Sequence, residues 1–266
     1  ACGGHRTPGL SRMSAMAVSS KNWAALALVA FASTFTLSSH AWEWPFSNRV
    51  TGSGQVTKVQ RAVQGFKGID LEVPAQVEVV QGDQEGLTIE TDDNISPLIE
   101  TLVEKDQLKI RLIQRSGGIK PSSLKITVQA RALESMAISG AGSFQADRLA
   151  GATLAARISG SGDIRIRALD VDTLTLAISG NGDFTAAGRA DTVRIGISGA
   201  GDVKAAGLAA KNAKLSISGA GDAKLWATES LTISISGTGD VGYYGEAAVT
   251  QSVSGVGRIK KLGNRP

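Results

Sequence analysis

Apolar and polar residues alternate along two stretches of this chain, and the two differ in how the alternation is organised. Over 56–130 the period-two runs are short and irregularly spaced. Phe66, Ile69 and Leu71 lead to a break at Val73-Pro74; Val77, Val79 and Val80 follow, then the turn Gln81-Gly82-Asp83. Leu87 and Ile89 alternate with Thr88 and Glu90. Leu108, Ile110 and Leu112 alternate with Lys109 and Arg111, and Leu124, Ile126 and Val128 with Lys125 and Thr127. Such runs, bounded by Gly, Pro and Asp, predict half-buried β-strands. The stretch Ile95 to Glu104 reads as a short helix or a strand, Pro97 being compatible with a first helical turn. Arg115 to Ser123, which holds Gly117, Gly118 and Pro121, reads as a surface loop. Residues 42–55, beginning Trp42-Glu43-Trp44-Pro45-Phe46, show no period and read as irregular.

From 131 onward a longer fixed period takes over. Its mark is Ile-Ser-Gly-x-Gly-Asp, at Ile158 to Asp163, Ile178 to Asp183, Ile197 to Asp202, Ile217 to Asp222 and Ile235 to Asp240. Degenerate copies flank these five, at Ile138 to Ser143 and Val253 to Arg258. The motif serines fall at 139, 159, 179, 198, 218, 236 and 254, which are steps of 20, 20, 19, 20, 18 and 18 residues. Two residues before each motif Ile or Val lie Met136, Ala156, Leu176, Ile195, Leu215, Ile233 and Gln251. Just past the Asp position lie Phe144, Ile164, Phe184, Val203, Ala223, Val241 and Ile259. Each repeat therefore reads as a strand facing inward on alternate residues, a Gly-x-Gly turn and a second short strand. The turn glycines of the five full copies are Gly160, Gly162, Gly180, Gly182, Gly199, Gly201, Gly219, Gly221, Gly237 and Gly239. They are expected at positive φ, where glycine costs little.

A period near 20 points to stacked repeats that cannot bury their apolar faces alone. Strand–turn–strand at this length suits a parallel β-helix. A propeller blade needs ~40–45 residues, and the Leu/Asn signature and helix of leucine-rich repeats are absent. The predicted fold is all-β, a single-stranded parallel β-helix with ~20-residue rungs. It occupies 56–262, with lead-in strands over 56–130 and the repeats over 131–262. Rungs ~4.8 Å apart would place identical residues in ladders.

The first 41 residues read as a secretory leader. Arg6, Arg12 and Lys21 are its only charges, the apolar run Trp23 to Leu37 follows, and Ser39 and Ala41 stand three and one residues before a cleavage point at Trp42. An uncleaved anchor is the other reading, although 15 residues are short for a bilayer span. The whole chain carries 28 Lys+Arg against 24 Asp+Glu; setting aside the leader's three cations leaves 42–266 at about +1. No basic stripe for nucleic acid survives. Cys2, His5 and His40 all fall in the leader. The mature chain therefore has no disulfide, no Cys/His zinc site and no histidine base.

One constellation holds candidate chemistry. Asp163, Asp183, Asp202, Asp222 and Asp240 would stack along one edge as a speculative binding surface. Carboxylates ~4.8 Å apart repel by about 1 kcal/mol even at water's dielectric constant. Something must offset that. One offset is local, with hydrogen bonds from amides of the same turn or from a neighbouring Ser. The other is a cation such as calcium. The local offset is the reading adopted, with no metal and no cofactor.

The Gly65-Phe66-x-Gly68-Ile69 segment, the Val79-Val80-Gln81-Gly82-Asp83 turn and the Ser-Gly-x-Gly-Asp repeats resemble the bacterial putative auto-transporter adhesin, head GIN domain family. The resemblance covers about residues 58–262. It implies a secreted or envelope-associated right-handed β-helix and, by name, adhesion; it brings no catalytic residues. Ser143 and Arg258 depart from the repeat Asp. The function expected is a non-catalytic adhesion-like module, exported to the periplasm or cell surface, whose partner is an envelope or extracellular glycan or protein rather than nucleic acid. Two alternatives stand beside it. One is a purely structural periplasmic solenoid. The other is a polysaccharide-acting enzyme using Asp183 with Asp202 or Asp202 with Asp222.

Overall fold

In a computed structural model of the protein, residues 49–113 and 117–266 are described. The predicted leader and the aromatic start of the segment after it lie outside them. The lead-in strands are β1 (Val50–Thr51), β2 (Val56–Arg61), β3 (Gly68–Leu71), β4 (Gln76–Gln81), β5 (Gly86–Asp92), β6 (Ile99–Glu104), β7 (Gln107–Leu112), β8 (Ile119–Lys120) and β9 (Leu124–Ala130). The repeats give β10 (Ser135–Ile138), β11 (Ala141–Ile158), β12 (Ser161–Ile178), β13 (Phe184–Ile197), β14 (Val203–Ile217) and β15 (Ala223–Ile235). The chain closes with β16 (Val241–Tyr244), β17 (Ala248–Val253) and β18 (Ile259–Gly263).

The repeats stack as a parallel β-solenoid. In β12 the buried residues are Ile164, Ile166, Leu169, Val171, Leu174, Leu176 and Ile178. The alternation slips by one residue twice, after Ile166 and after Val171. Each slip sets two successive side chains outward and turns the strand, so with the Ser-Gly-x-Gly corner a rung has three sides. They are the first side (164–166), the second (169–171) and the third (174–178). Each repeat is thus a nearly continuous bent strand rather than two strands about one turn.

Register holds identical positions in columns. Leu154, Leu174, Val193, Ala213, Leu231 and Val249 pair in sequence on the third side, as do Phe144, Ile164, Phe184, Val203, Ala223, Val241 and Ile259 on the first. The shorter repeats are absorbed where register shifts, between Thr185 and Gly188 and between Ala205 and Ala209.

The lead-in region does not simply continue this order. On the third side β3 lies between β7 and β10, and on the first side β4 lies between β9 and β11. The rung made by β3 and β4, first in the chain, is therefore sandwiched between the later rung β7/β9 and the first repeat. Below β7 and β9 the direction reverses: β6 runs antiparallel to β7, β5 to β9 and β2 to β5. These strands close the end of the stack and protect its edge. Arg61 of β2 ties the closure, donating to the carbonyls of Ile99 (2.6 Å) and Ser96 (2.9 Å) and to Thr101 Oγ1 (3.0 Å).

Ile95 to Glu104 takes both predicted forms in turn, a 3-10 turn at Ser96–Leu98 with Pro in its first turn, then β6. Two stretches read as irregular contain short strands, for β1 pairs in parallel with β8. Two-residue strands carry no period, which is why the pattern missed them. At the opposite end β17 pairs β15 and β18 pairs β16. Here Gln251 occupies an inward column, and Val253, Val256 and Leu262 are exposed.

Candidate functional site

The Ser-Gly-x-Gly-Asp corner is built from backbone. The carbonyl of Gly160 accepts the N–H of Asn181 in the next rung at 2.9 Å, and that of Gly180 accepts the N–H of Ala200 at 3.0 Å. Each carbonyl points along the stack directly beneath the next glycine. A Cβ on Gly180 would lie 1.9 Å from the Gly160 oxygen, and one on Gly182 would lie 1.9 Å from the Gly162 oxygen. The same contact recurs at Gly160, Gly162, Gly199, Gly201, Gly219, Gly221, Gly237 and Gly239. None of these glycines has positive φ; among the described residues the positive-φ glycines are Gly54, Gly65, Gly118, Gly188 and Gly245. The expectation of left-handed turns is therefore corrected. Glycine is required because backbone passes over backbone, not because of an unusual dihedral.

The five aspartates form the predicted column, and each carboxylate is engaged with the rung above. Asp163 Oδ1 accepts the backbone N–H of Asp183 at 2.9 Å, and Asp183 Oδ1 that of Asp202 at 3.1 Å. Asp202 Oδ1 accepts the N–H of Asp222 at 3.0 Å, and Asp222 Oδ1 that of Asp240 at 2.7 Å. Asp240 Oδ1 accepts the N–H of Arg258 at 2.9 Å. At the corner a side chain thus takes the place of a main-chain carbonyl in the inter-rung ladder. The donor is an amide of the next rung, where the sequence pointed to an amide of the same turn.

Charge on the column is offset at two of its five aspartates. Lys204 Nζ lies 2.6 Å from Asp183 Oδ2, and the Arg258 guanidinium 2.7 Å from Asp240 Oδ2. The Lys204 hydrogen bond, aided by the Asp202 amide and opposed by partial burial, holds the Asp183 carboxyl below its ordinary range. Hydrogen bonds from the Arg258 side chain and backbone do the same for Asp240. Arg258, a departure from the repeat, thus closes the ladder at its last rung. Among the described residues no group of three or more His, Cys, Asp or Glu is placed to hold a metal ion. The pairs Asp183/Asp202 and Asp202/Asp222 are neighbours in a repeated ladder: each aspartate accepts the amide of the next rung, and Asp183 is in addition paired with Lys204.

Two features lay outside the sequence reading. The first is Asp92, fully buried in the lead-in region. It accepts the Ser122 hydroxyl (2.7 Å) and the N–H groups of Ser122 and Gly54 (both 2.8 Å). The Ser122 hydroxyl, with these amides, holds its carboxyl below the ordinary range against burial. Asp92 is a structural tie; its signal was the Thr91-Asp92-Asp93-Asn94 run that ends β5. The second is the outward surface of the third side. From β11 to β17 it comprises 153–159, 173–179, 192–198, 212–218, 230–236 and 248–254, and none of these positions is acidic. It is lined by Ser, Thr and small residues, with Arg157, Arg194 and Lys214 exposed upon it.

The geometry defines a class: a parallel solenoid whose repeated edge is consumed in holding rungs together and whose sides are built of strands in register. The chain belongs to the family described as putative auto-transporter adhesin, head GIN domain, whose profile matches residues 65–247. Its fold is similar to a crystal structure of a putative adhesin from Bacteroides fragilis, 26% identical with a TM-score of 0.77, over 80% of this chain and 100% of that one. It is also similar to a structure described as a putative lipid binding protein from Parabacteroides distasonis, 23% identical with a TM-score of 0.67, over 80% of this chain and 99% of that one. A putative adhesin from Parabacteroides merdae matches at 20% identity and a TM-score of 0.61, over 80% of this chain and 99% of that one. No match was found among curated protein sequences.

Proposed function

We propose that the protein is an exported, envelope-associated, non-catalytic binding module of adhesion type. One observation carries this reading. The carboxylates repeated in the motif, the aspartates, are bonded to the amides of the next rung. What the repeats then offer is area: strand-built sides on which outward residues recur at ~4.8 Å steps. The adhesin family and the likeness to the Bacteroides fragilis protein support the same reading. The charge pattern of the first 41 residues supports export.

The test is to apply the exported protein to an array of envelope components, including neutral and acidic glycans, lipids and envelope proteins. Saturable binding to a small set of components, with no change in the bound molecule, is the expected result. Binding to none would leave a structural solenoid. Appearance of shortened glycan products would make it an enzyme.

A further inference from the structure

From β11 onward the ion pairs have a one-sided distribution. Arg167–Asp147, Arg189–Asp170, Lys204–Asp183, Lys211–Asp191 and Arg258–Asp240 lie on the first and second sides and at the corners. On the third side from β11 to β17, Arg157, Arg194 and Lys214 have no ion-pair partner among the described residues and no acidic residue stands beside them; the nearest acid of that side, Asp70 of β3, lies two rungs below Arg157 in its column and accepts the Ser139 hydroxyl at 3.0 Å.

Register fixes where these cations stand. Arg194 and Lys214 are direct partners on adjacent rungs. Arg157 pairs with Ala177, and Ala177 with Gly196, so Arg157 lies two rungs below Arg194 and two residues across the sheet. From Arg157 to Lys214 is three rung steps, roughly 14 Å along the stack. Around them stand hydroxyls in register: Thr153, Thr173 and Thr192 in one column, Ser216, Ser234 and Ser252 in another.

The two rims carry the opposite sign. Beyond the glycine corner runs the aspartate column, and at the other corner lie Asp172, Asp191 and Glu229, with Lys211 paired to Asp191. A strip of positive potential is thus bounded by negative edges and runs parallel to the stack. Salt screens surface charges over ~8–10 Å, so a ligand in the middle of the strip feels its cations more than the rims.

We propose that the third side binds a linear acidic polysaccharide, laid along the solenoid axis. Its carboxylates or sulfates would meet Arg157, Arg194 and Lys214, and its hydroxyls would bond to the Ser and Thr columns. Arg donors suit oxyanions of either kind. A linear chain fits because the acidic rims disfavour any polyanion lying across the face. A stiff nucleic acid duplex, about as broad as the strip itself, would bring phosphates close to those rims. The proposal rests on the binding-module reading and names the ligand class for it.

The experiment measures binding of the exported protein to polygalacturonate, heparin, a neutral linear glucan and duplex DNA, at two salt concentrations. Wild type is compared with the triple variant Arg157→Ala, Arg194→Ala, Lys214→Ala. A control triple on the first side, Arg165→Ala, Lys224→Ala, Lys260→Ala, has the same change in net charge. All six positions are exposed, and matching melting curves verify folding. The expected result is salt-sensitive binding of an acidic glycan that falls at least tenfold in the first triple and less than threefold in the control. Preference for polygalacturonate over heparin would identify carboxylate as the group read, and the reverse would identify sulfate. Equal loss in both triples, or equal binding of DNA, would reduce the effect to net charge and overturn the proposal. Binding of the neutral glucan or another envelope component, unaffected by either triple, would overturn it while leaving the binding-module reading intact. Binding of nothing on the wider array would overturn both.

Discussion

At the scale of single residues, the corner is governed by distances between backbones. Gly182→Ala puts a methyl carbon 1.9 Å from a carbonyl oxygen of the rung below, so the rungs must part locally. We expect a loss of about 1–3 kcal/mol, the usual scale for overpacking. Gly196→Ala, at a glycine with open space around its Cβ position, is expected to be neutral or to gain up to about 1 kcal/mol. Gly257→Ala meets an oxygen at 2.0 Å, but among the described residues no strand pairs with the far side of its rung, which can shift, so its loss should be smaller than that of Gly182. Denaturant unfolding of the three variants checks the order. Acid should weaken the same edge. Asp183 and Asp240 have depressed pKa values in the folded protein, so their stabilisation is present above the ordinary aspartate value and is lost as pH falls through the depressed ones. Melting temperature should therefore decline below about pH 4. Lys204→Gln, which removes the main cause of the Asp183 shift, should make the decline shallower; an unchanged profile would contradict the pairing.

At the scale of elements, much of the fold is legible in the chain because period two reports burial directly. Leu108, Ile110, Ile126 and Val128 are all buried, as their alternation indicates. Neighbour order is less legible. Nothing in the β3 or β4 residues says that they pair with β7 and β9 on one flank and with β10 and β11 on the other, since inward position specifies a side and not a partner. The aspartate column was legible as a column. Its donors were not, because whether a carboxylate bonds its own turn or the next rung depends on the local path of the main chain. The third-side cations were missed for a related reason. Arg157, Arg194 and Lys214 become a group only when the three-sided rung separates them from the acids nearby in sequence. The stacking itself predicts a gradient. Leu176 is buried in the middle of the stack, whereas Val249 is partly exposed on its last rung. Leu176→Ala should cost about 2–5 kcal/mol and Val249→Ala distinctly less. Equal losses would argue against a stack with one open end.

At the largest scale, the described residues form a quasi-one-dimensional stack closed by antiparallel strands at one end, with each rung leaning on the next. The central claim is that the aspartates belong to this inter-rung ladder and hold it without a cation. Site-resolved hydrogen exchange of the Asp222 amide, in calcium-free buffer, tests it most directly. In wild type that amide should be protected, because Asp202 Oδ1 accepts it at 3.0 Å. Asp202→Asn keeps an oxygen acceptor and should retain most of the protection. Asp202→Ala should lose it, with a stability cost of about 1–2 kcal/mol. Added calcium should change none of the three. An Asp222 amide that exchanges freely without calcium and becomes protected when calcium is added would contradict the account and make the column a cation site.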